Sequence, residues 1–150
     1  MFNLYCNFES KSTLMIKYFS STDFVITSKD ELAVWLESAT NNEGRTLGEL
    51  VFNFCSDESL SKINKEFLNH DTLTDVITFD YSTLNEISGE IFISIDRVRE
   101  NASEFQQSFE VEIRRVMIHG LLHLCGYNDK TTKEKSLMSD RENFYLDSFS

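Results

Sequence analysis

Two histidines and an aspartate lie close together in the sequence, in the run HGLLHLCGYND that begins at His119 and ends at Asp129. His119 and His123 are four residues apart, so in a helix both imidazoles project from the same face, one turn apart. Gly126 lies where a helix commonly ends, and a positive φ there would let the chain turn back so that Asp129 approaches both rings. These residue types bind metals, so we expect His119, His123 and Asp129 to hold one ion.

Zinc suits this donor set. Three protein ligands leave a fourth coordination position open for water, as in catalytic zinc sites, whereas closed structural sites have four. Zinc can lower the pKa of such a water from 15.7 to about 7, and it can act as a Lewis acid on a phosphoryl or carbonyl oxygen. The histidine pair without Gly126 and Asp129 would equally fit two ordinary core or surface histidines. With all four positions in place, we predict one Zn²⁺ ion at a catalytic centre.

Other side chains in the sequence are weaker candidates for this site. Cys125 follows His123 by two positions and so points to another side of the helix, where a small buried hydrophobic residue is expected. His70 lies in a predicted loop and fits a surface histidine as well as a site residue. Four carboxylates could lie near the metal, or could simply stabilise a loop or occupy an exposed strand position: Asp71, Asp75, Asp80 and Glu90.

The chain is acidic, with 14 lysines and arginines against 25 aspartates and glutamates and a formal net charge of −11. Because proteins bind nucleic-acid phosphates through lysine and arginine, this balance argues against a protein that simply coats RNA, although a bound ion could still dominate its own surroundings. Three widely spaced cysteines predict no disulfide framework and favour the reducing cytoplasm. We find no signal-peptide pattern and no apolar stretch of membrane-spanning length, so we expect no membrane association.

Hydrophobic periodicity predicts a single α+β domain. The segments that alternate as strands do are Thr13–Phe19, Glu49–Cys55, Asp75–Tyr81 and Gly89–Ile95. Five helices are expected to begin near Ser28, Ser56, Asp96, Glu110 and Thr131. The first and last of these carry a glutamate three residues after the capping side chain, which predicts a capping box at each. We expect residues 15–150 to form the domain and residues 1–14 to be an N-terminal extension.

The run that starts at His119 closely resembles the motif H-G-x-L-H-L-x-G-Y-D-H of the YbeY family of bacterial rRNA-maturation endoribonucleases. Every fixed position from His119 to Tyr127 matches that motif. Asn128 stands where the family has aspartate, and Asp129 stands where it has a third histidine. The second change alters the ligand type but keeps a metal ligand.

A second block of the sequence is similar to the same family. The segment TDVITF, which begins at Thr74, and the segment GEI at 89–91 are in register with the family's strand pattern. Glu142, four residues after Met138, matches the closing M-x-x-x-E. The resemblance extends from about Met15 to Glu142, nearly the whole chain.

The resemblance implies a zinc-dependent hydrolase domain with a mixed, roughly four-stranded sheet and about five helices. It implies cleavage of single-stranded RNA in the maturation of the 16S rRNA 3′ end, and a part in ribosome quality control. The partners it implies are rRNA, the small ribosomal subunit and the GTPase Era. His119, His123 and Asp129 are the residues to which it assigns both metal binding and catalysis.

One position departs from the family pattern in a way that bears on RNA binding. Leu68 stands where the family has an arginine that is a candidate for gripping phosphate. Other cations of this chain could take over that task, namely Lys62, Lys65, Arg97 and Arg99.

Two alternative functions fit parts of the pattern. The spacing of the ligands also resembles that of metzincin proteases, which have glutamate directly after the first histidine as general base. Here that residue is Gly120, which cannot accept a proton. The other alternative is a non-enzymatic ribosome-assembly factor in which the metal only stabilises the fold, and the missing arginine keeps this possibility open.

Overall fold

The computed structural model describes residues 15–68 and 74–149, which form four strands and five helices. The strands are β1 (Ile16–Ser20), β2 (Thr46–Cys55), β3 (Val76–Asp80) and β4 (Glu86–Ser94). The helices are α1 (Lys29–Asn42), α2 (Asp57–Leu68), α3 (Ile95–Glu104), α4 (Phe109–Leu124) and α5 (Thr132–Asp147). The predicted N-terminal extension, residues 1–14, lies outside the described residues.

The four strands form one mixed sheet in the order β1-β2-β4-β3. β1 pairs with β2 and β2 with β4 in parallel, whereas β3 pairs with β4 antiparallel. The parallel pair β1 and β2 is joined through α1, as a crossover connection requires. The predicted α+β class, with a four-stranded mixed sheet and five helices, is confirmed.

α4 lies directly against one face of the sheet, and two glycines allow the close approach. A Cβ atom at Gly120 of α4 would lie 2.8 Å from Cγ2 of Ile91, and one at Gly89 of β4 would lie 3.0 Å from a methyl carbon of Leu124. Gly89 and Ile91 of β4 are buried, as is Leu121 of α4. The main core therefore forms between this face of the sheet and α4, which fixes the position of the histidines on that helix.

The two predicted capping boxes have different outcomes. Thr131 accepts a hydrogen bond from the Glu134 N–H while the Glu134 side chain accepts one from the Thr131 N–H, so the capping box of α5 is confirmed. The capping box at Ser28 is wrong, because Ser28 has a φ of 58° and its side chain makes no capping hydrogen bond. In that left-handed conformation only the Ser28 carbonyl serves the helix, accepting from the Leu32 N–H at 3.0 Å.

The helices of residues 15–68 and 74–149 bear on the expectation about membranes. None of them is both long and apolar enough to cross a membrane.

Candidate metal centre

The last turn of α4 carries both histidines and leads directly into the loop that carries the aspartate. The helix ends at Leu124, and Gly126 then takes a φ of 104°, a conformation that favours glycine. The Gly126 N–H donates to the His123 carbonyl at 3.0 Å, and the Tyr127 N–H donates to the Leu122 carbonyl at 3.0 Å. These bonds satisfy the free carbonyls of the helix end and turn the chain back, as the glycine predicted.

The turn brings three donor atoms to one point. The two Nε2 atoms of His119 and His123 are 3.0 Å apart, and Oδ2 of Asp129 lies 3.2 Å from each of them. The imidazoles meet edge to face, with an interplanar angle of 81°. The side chains of His119, His123 and Asp129 are 19%, 23% and 39% exposed, so the site is open to solvent on one side. The three residues predicted as ligands therefore form one cluster.

The Nδ1 atom of each histidine ring has a hydrogen-bond partner within the protein. Nδ1 of His119 lies 2.5 Å from Oε2 of Glu142, and Nδ1 of His123 lies 2.9 Å from the carbonyl oxygen of Tyr127. A carboxylate and a carbonyl can only accept, so each Nδ1 carries the proton and donates it. Each neutral ring then directs the lone pair of Nε2 at the same point, which is the tautomer that metal binding requires.

Two imidazole lone pairs and a carboxylate facing one another at 3.0–3.2 Å repel unless a positive charge lies between them. Zinc bonds of about 2.0–2.1 Å in a tetrahedral arrangement separate donor atoms by about 3.3 Å, close to the spacing found here. The residues of this cluster thus fit a divalent metal ion by donor type, number and spacing.

The electrostatics of the site also favour a cation. Burial of the His119 ring disfavours its protonated form, but the hydrogen bond and charge of Glu142, with the charges of Asp75 and Asp129, outweigh burial and raise the pKa of His119 above its ordinary value. The same carboxylates that attract a proton attract a metal ion, and the two compete because metal ligands bind in the deprotonated form.

Glu142 connects the site to a buried ionic cluster that the sequence motifs did not predict. Its Oε1 accepts from Arg115 at 3.1 Å, and Arg115 lies 3.9 Å from the carboxylate of Glu112. Both carboxylates are buried, at 7% exposure for Glu142 and 3% for Glu112. The family pattern marked position 142, but its contact with His119 spans 23 residues and depends on how α5 packs on α4.

None of the weaker candidates among the described residues contributes an atom to the cluster of His119, His123 and Asp129. His70 and Asp71 lie outside the described residues. Asp75 adds negative charge at His119 and accepts from Asn101 at 3.4 Å. Asp80 accepts from the Ser82 N–H at 2.8 Å and so stabilises the turn after β3.

Two further candidates have structural surroundings that differ from those of a ligand. Glu90 alternates along β4 with residues that face α4, so its side chain projects from the opposite face of the sheet, near Tyr81 and Asn53. Cys125 is a partly buried free thiol packed against the core, as predicted, and burial raises the pKa of this thiol to about 11. A thiol with that pKa is a poor nucleophile and a poor metal ligand at neutral pH.

Three of the cations that could replace the missing arginine are paired with carboxylates. Arg97 binds Asp57 at 3.1 Å and Arg99 binds Asp23 at 3.4 Å. On α2, Lys62 lies 3.7 Å from Glu58, one turn earlier. The fourth, Lys65, is exposed on the same helix.

Position 120 has no room for the general base of a metzincin protease. A Cβ atom there points into the sheet and would lie within 2.8–3.4 Å of three carbons of Ile91. A glutamate side chain would therefore have to enter the core instead of reaching the site of the reacting water. This packing removes the basis for the protease alternative.

The fold and the site together define an α+β domain with a candidate His₂Asp metal centre at the end of a buried helix. Comparison with known sequences then identifies the family: the chain belongs to the YbeY endoribonucleases. It matches the family described as Endoribonuclease YbeY over residues 18–150. The resemblance inferred from the histidine motif is thereby confirmed.

Individual relatives agree with this assignment. The protein called Endoribonuclease YbeY from Flavobacterium johnsoniae is 48% identical over 128 residues, which cover 85% of this chain and 92% of the relative. The protein of the same name from Flavobacterium psychrophilum is 48% identical over 135 residues, covering 90% of this chain and 96% of the relative. The protein of the same name from Christiangramia forsetii is 46% identical over 127 residues, covering 85% of this chain and 89% of the relative.

A solved structure is also similar. The solution structure of a Thermotoga maritima protein matches with a TM-score of 0.60 and 31% sequence identity, and the match covers 90% of this chain and 89% of that one. The two chains therefore share the fold over nearly their full lengths.

Proposed function

We propose that this protein is a zinc-dependent endoribonuclease that cleaves single-stranded RNA in the maturation of the 16S rRNA 3′ end and acts in ribosome quality control. His119, His123 and Asp129 are its metal ligands and the centre of its catalysis, within a domain formed by residues 15–150. The observation that carries the proposal is the pair of Nδ1 contacts, which direct both Nε2 atoms and the Asp129 carboxylate at one point.

The three donors suit zinc, which when bound supplies Lewis acidity toward a phosphoryl oxygen and lowers the pKa of a coordinated water. The residues of the chain hold and orient the site. Glu142 keeps the proton of His119 on Nδ1, and the Tyr127 carbonyl does the same for His123. Asp129, at 39% exposure, lies on the solvent side, where RNA can approach.

The acidic charge of the chain requires that something other than bulk attraction brings RNA to the site. A formal net charge of −11 opposes nonspecific phosphate binding. Delivery by a partner removes this difficulty, and we propose that the small ribosomal subunit and the GTPase Era, the partners that the family resemblance implies, provide it in the cytoplasm.

The test combines metal analysis with RNA cleavage. Protein purified without an affinity tag or added metal should contain about one zinc per chain, and Asp129→Ala should contain much less. The wild type should cleave a single-stranded RNA carrying the precursor 3′ end of 16S rRNA, and Asp129→Ala should not. Glu90→Ala, a carboxylate variant on the other face of the sheet, serves as the control and should match the wild type.

The proposed enzyme and the remaining alternative, a non-enzymatic assembly factor, give different results. If His119→Ala and Asp129→Ala remain folded but lose cleavage, the metal is catalytic. If both unfold, and zinc-loaded wild type does not cleave RNA, the protein is an assembly factor with a structural metal. A wild type that takes up no zinc when zinc is offered would overturn the metal-dependent mechanism.

A further inference from the structure

A second network of polar side chains, separate from the contacts of Glu142, reaches the ligand loop, residues 125–131 between α4 and α5. Its centre is Glu43, the residue that follows α1, whose side chain is 12% exposed. Oε1 of Glu43 accepts from the Tyr127 hydroxyl at 2.8 Å, and Oε2 accepts from Arg141 at 2.9 Å and from the Tyr145 hydroxyl. One carboxylate thus joins the end of α1 to the ligand loop and to α5.

The donors around Glu43 keep it charged. Burial favours the protonated form, but the hydrogen bonds from Tyr145, Arg141 and Tyr127 outweigh burial and lower the pKa of Glu43 below its ordinary value. Hydrogen bonds to an ionised carboxylate are about twice as strong as neutral ones. The bond between Glu43 and the Tyr127 hydroxyl is therefore a strong link between residues 84 positions apart.

Tyr127 is the residue through which this link reaches the metal ligands. Its carbonyl oxygen lies 2.9 Å from Nδ1 of His123, the contact that directs Nε2 of that ring toward Asp129. The same residue precedes Asp129 by two positions in a loop that begins at Gly126, where the backbone is turned by a positive φ. Movement of Tyr127 would change the orientation of one ligand and the position of another.

We propose that Glu43 is a positioning residue for the metal centre. By holding the Tyr127 hydroxyl, it fixes the loop so that the Tyr127 carbonyl orients His123 and the Asp129 carboxylate faces the two imidazoles. Glu43 touches neither the ligand atoms nor the reacting groups. It also binds Arg141 and Tyr145 on α5, but its contact with the ligand loop is the Tyr127 hydroxyl, and its effect on the ligands passes through that hydroxyl. The inference rests on the metal centre proposed above.

The test is a double-mutant cycle on zinc affinity, measured by competition with a chromophoric chelator. Glu43→Gln offers one acceptor oxygen to three donors and removes the charge. We therefore expect the dissociation constant for zinc to rise about tenfold, the lower end of the range for residues that support ligands. Tyr127→Phe, which keeps the carbonyl but removes the hydroxyl, should weaken zinc binding by the same factor. The double variant should also lose about tenfold, not a hundredfold, because both changes break one link.

Thr40→Val provides a control for a purely structural effect. Thr40 is fully buried on α1, the helix that ends just before Glu43, and its hydroxyl donates to the Leu36 carbonyl at 2.8 Å. This variant should lower the melting temperature of the metal-free protein without changing zinc affinity. If Glu43→Gln behaves in the same way, with a lower melting temperature and wild-type affinity, the positioning role is overturned.

A measurement without metal separates this inference from the proposed function. In the metal-free protein, amide hydrogen exchange at residues 126–129 should be faster in Glu43→Gln than in the wild type, while exchange in the middle of α4 should not change. Unchanged exchange in that loop would overturn the inference even if zinc binds. A wild type that binds no zinc would overturn the metal centre, and the exchange result would still decide whether Glu43 holds the loop.

Discussion

Nδ1 of His119 on α4 lies 2.5 Å from Oε2 of Glu142 on α5, in a position where the glutamate is almost fully buried. A buried carboxylate is stable only when its lone pairs are used, and Arg115 occupies the other oxygen at 3.1 Å. The histidine and the arginine thus hold the glutamate between them. This contact couples the packing of α5 on α4 to the proton position on a proposed metal ligand, so the fold itself selects the tautomer of His119.

Replacement of Glu142 should weaken metal binding without removing a ligand. In Glu142→Gln the amide oxygen can still accept from His119, but the negative charge that increases the basicity of the ring is lost. We expect zinc affinity to fall by about tenfold, measured by chelator competition at fixed pH. Asp140→Asn, an exposed carboxylate variant on the same helix, is the matched control and should bind zinc as the wild type does. Equal affinity in Glu142→Gln and the wild type would contradict the role of this contact.

Gly120 should be intolerant of even one additional carbon. Alanine is normally the better helix former by about 1 kcal/mol, but its Cβ here would lie 2.8 Å from Ile91 in a closely packed core. We expect Gly120→Ala to reduce the free energy of unfolding by about 1–3 kcal/mol, measured by urea denaturation. In the double variant Gly120→Ala, Ile91→Ala there is room for the methyl group, so its loss of stability should be smaller than the sum of the losses of the two single variants. A loss equal to that sum would argue against the steric cause.

The parts of this site that the sequence predicts are those that depend on local geometry. His119, His123 and Asp129 lie within one run of eleven residues, where helix periodicity and a glycine turn fix their relation. The partners of those ligands are not local, since Glu142 and Glu43 reach the site only after the helices have packed. No periodicity or motif spacing encodes such contacts.

The fold shows the same division between local and tertiary control. The helix and strand segments follow from hydrophobic periodicity, and the capping box at Thr131 follows from side-chain spacing alone. The box at Ser28 fails although its residues have the same spacing, because the chain enters α1 with Ser28 in the left-handed region. The direction in which a segment approaches its helix is set by packing, and the sequence pattern does not contain it.

Asp129 is a position where the family's ligand type can be restored. Asp129→His would give three histidines, a ligand set that also binds zinc with an open fourth position. We expect this variant to retain about one zinc per chain, whereas Asp129→Ala loses most of it. The measurement is elemental analysis after dialysis against a metal-free buffer. Loss of zinc from both variants would show that the aspartate is required in itself and that a third imidazole does not fit this loop.

Glu112 should make the stability of the metal-free protein depend on pH. Burial, opposed by Arg115 and reinforced by the charges of Asp75 and Glu142, raises the pKa of Glu112 from 4.5 to about 7. The folded state therefore binds this proton more tightly than the unfolded state. The resulting stabilisation is fully present below pH 4.5 and is lost as the pH rises through about 7. Between pH 5.5 and pH 8 the loss should be about 2 kcal/mol.

Glu112→Gln isolates this contribution, because glutamine has nearly the same shape and cannot ionise. Denaturant unfolding of both proteins with a chelator present should show that the variant loses less stability than the wild type between pH 5.5 and pH 8. The chelator is needed because metal binding releases protons and has its own pH dependence. If the two proteins lose stability in parallel over this range, then Glu112 is ionised throughout it and its interaction with Arg115, at 3.9 Å, outweighs the cost of burial.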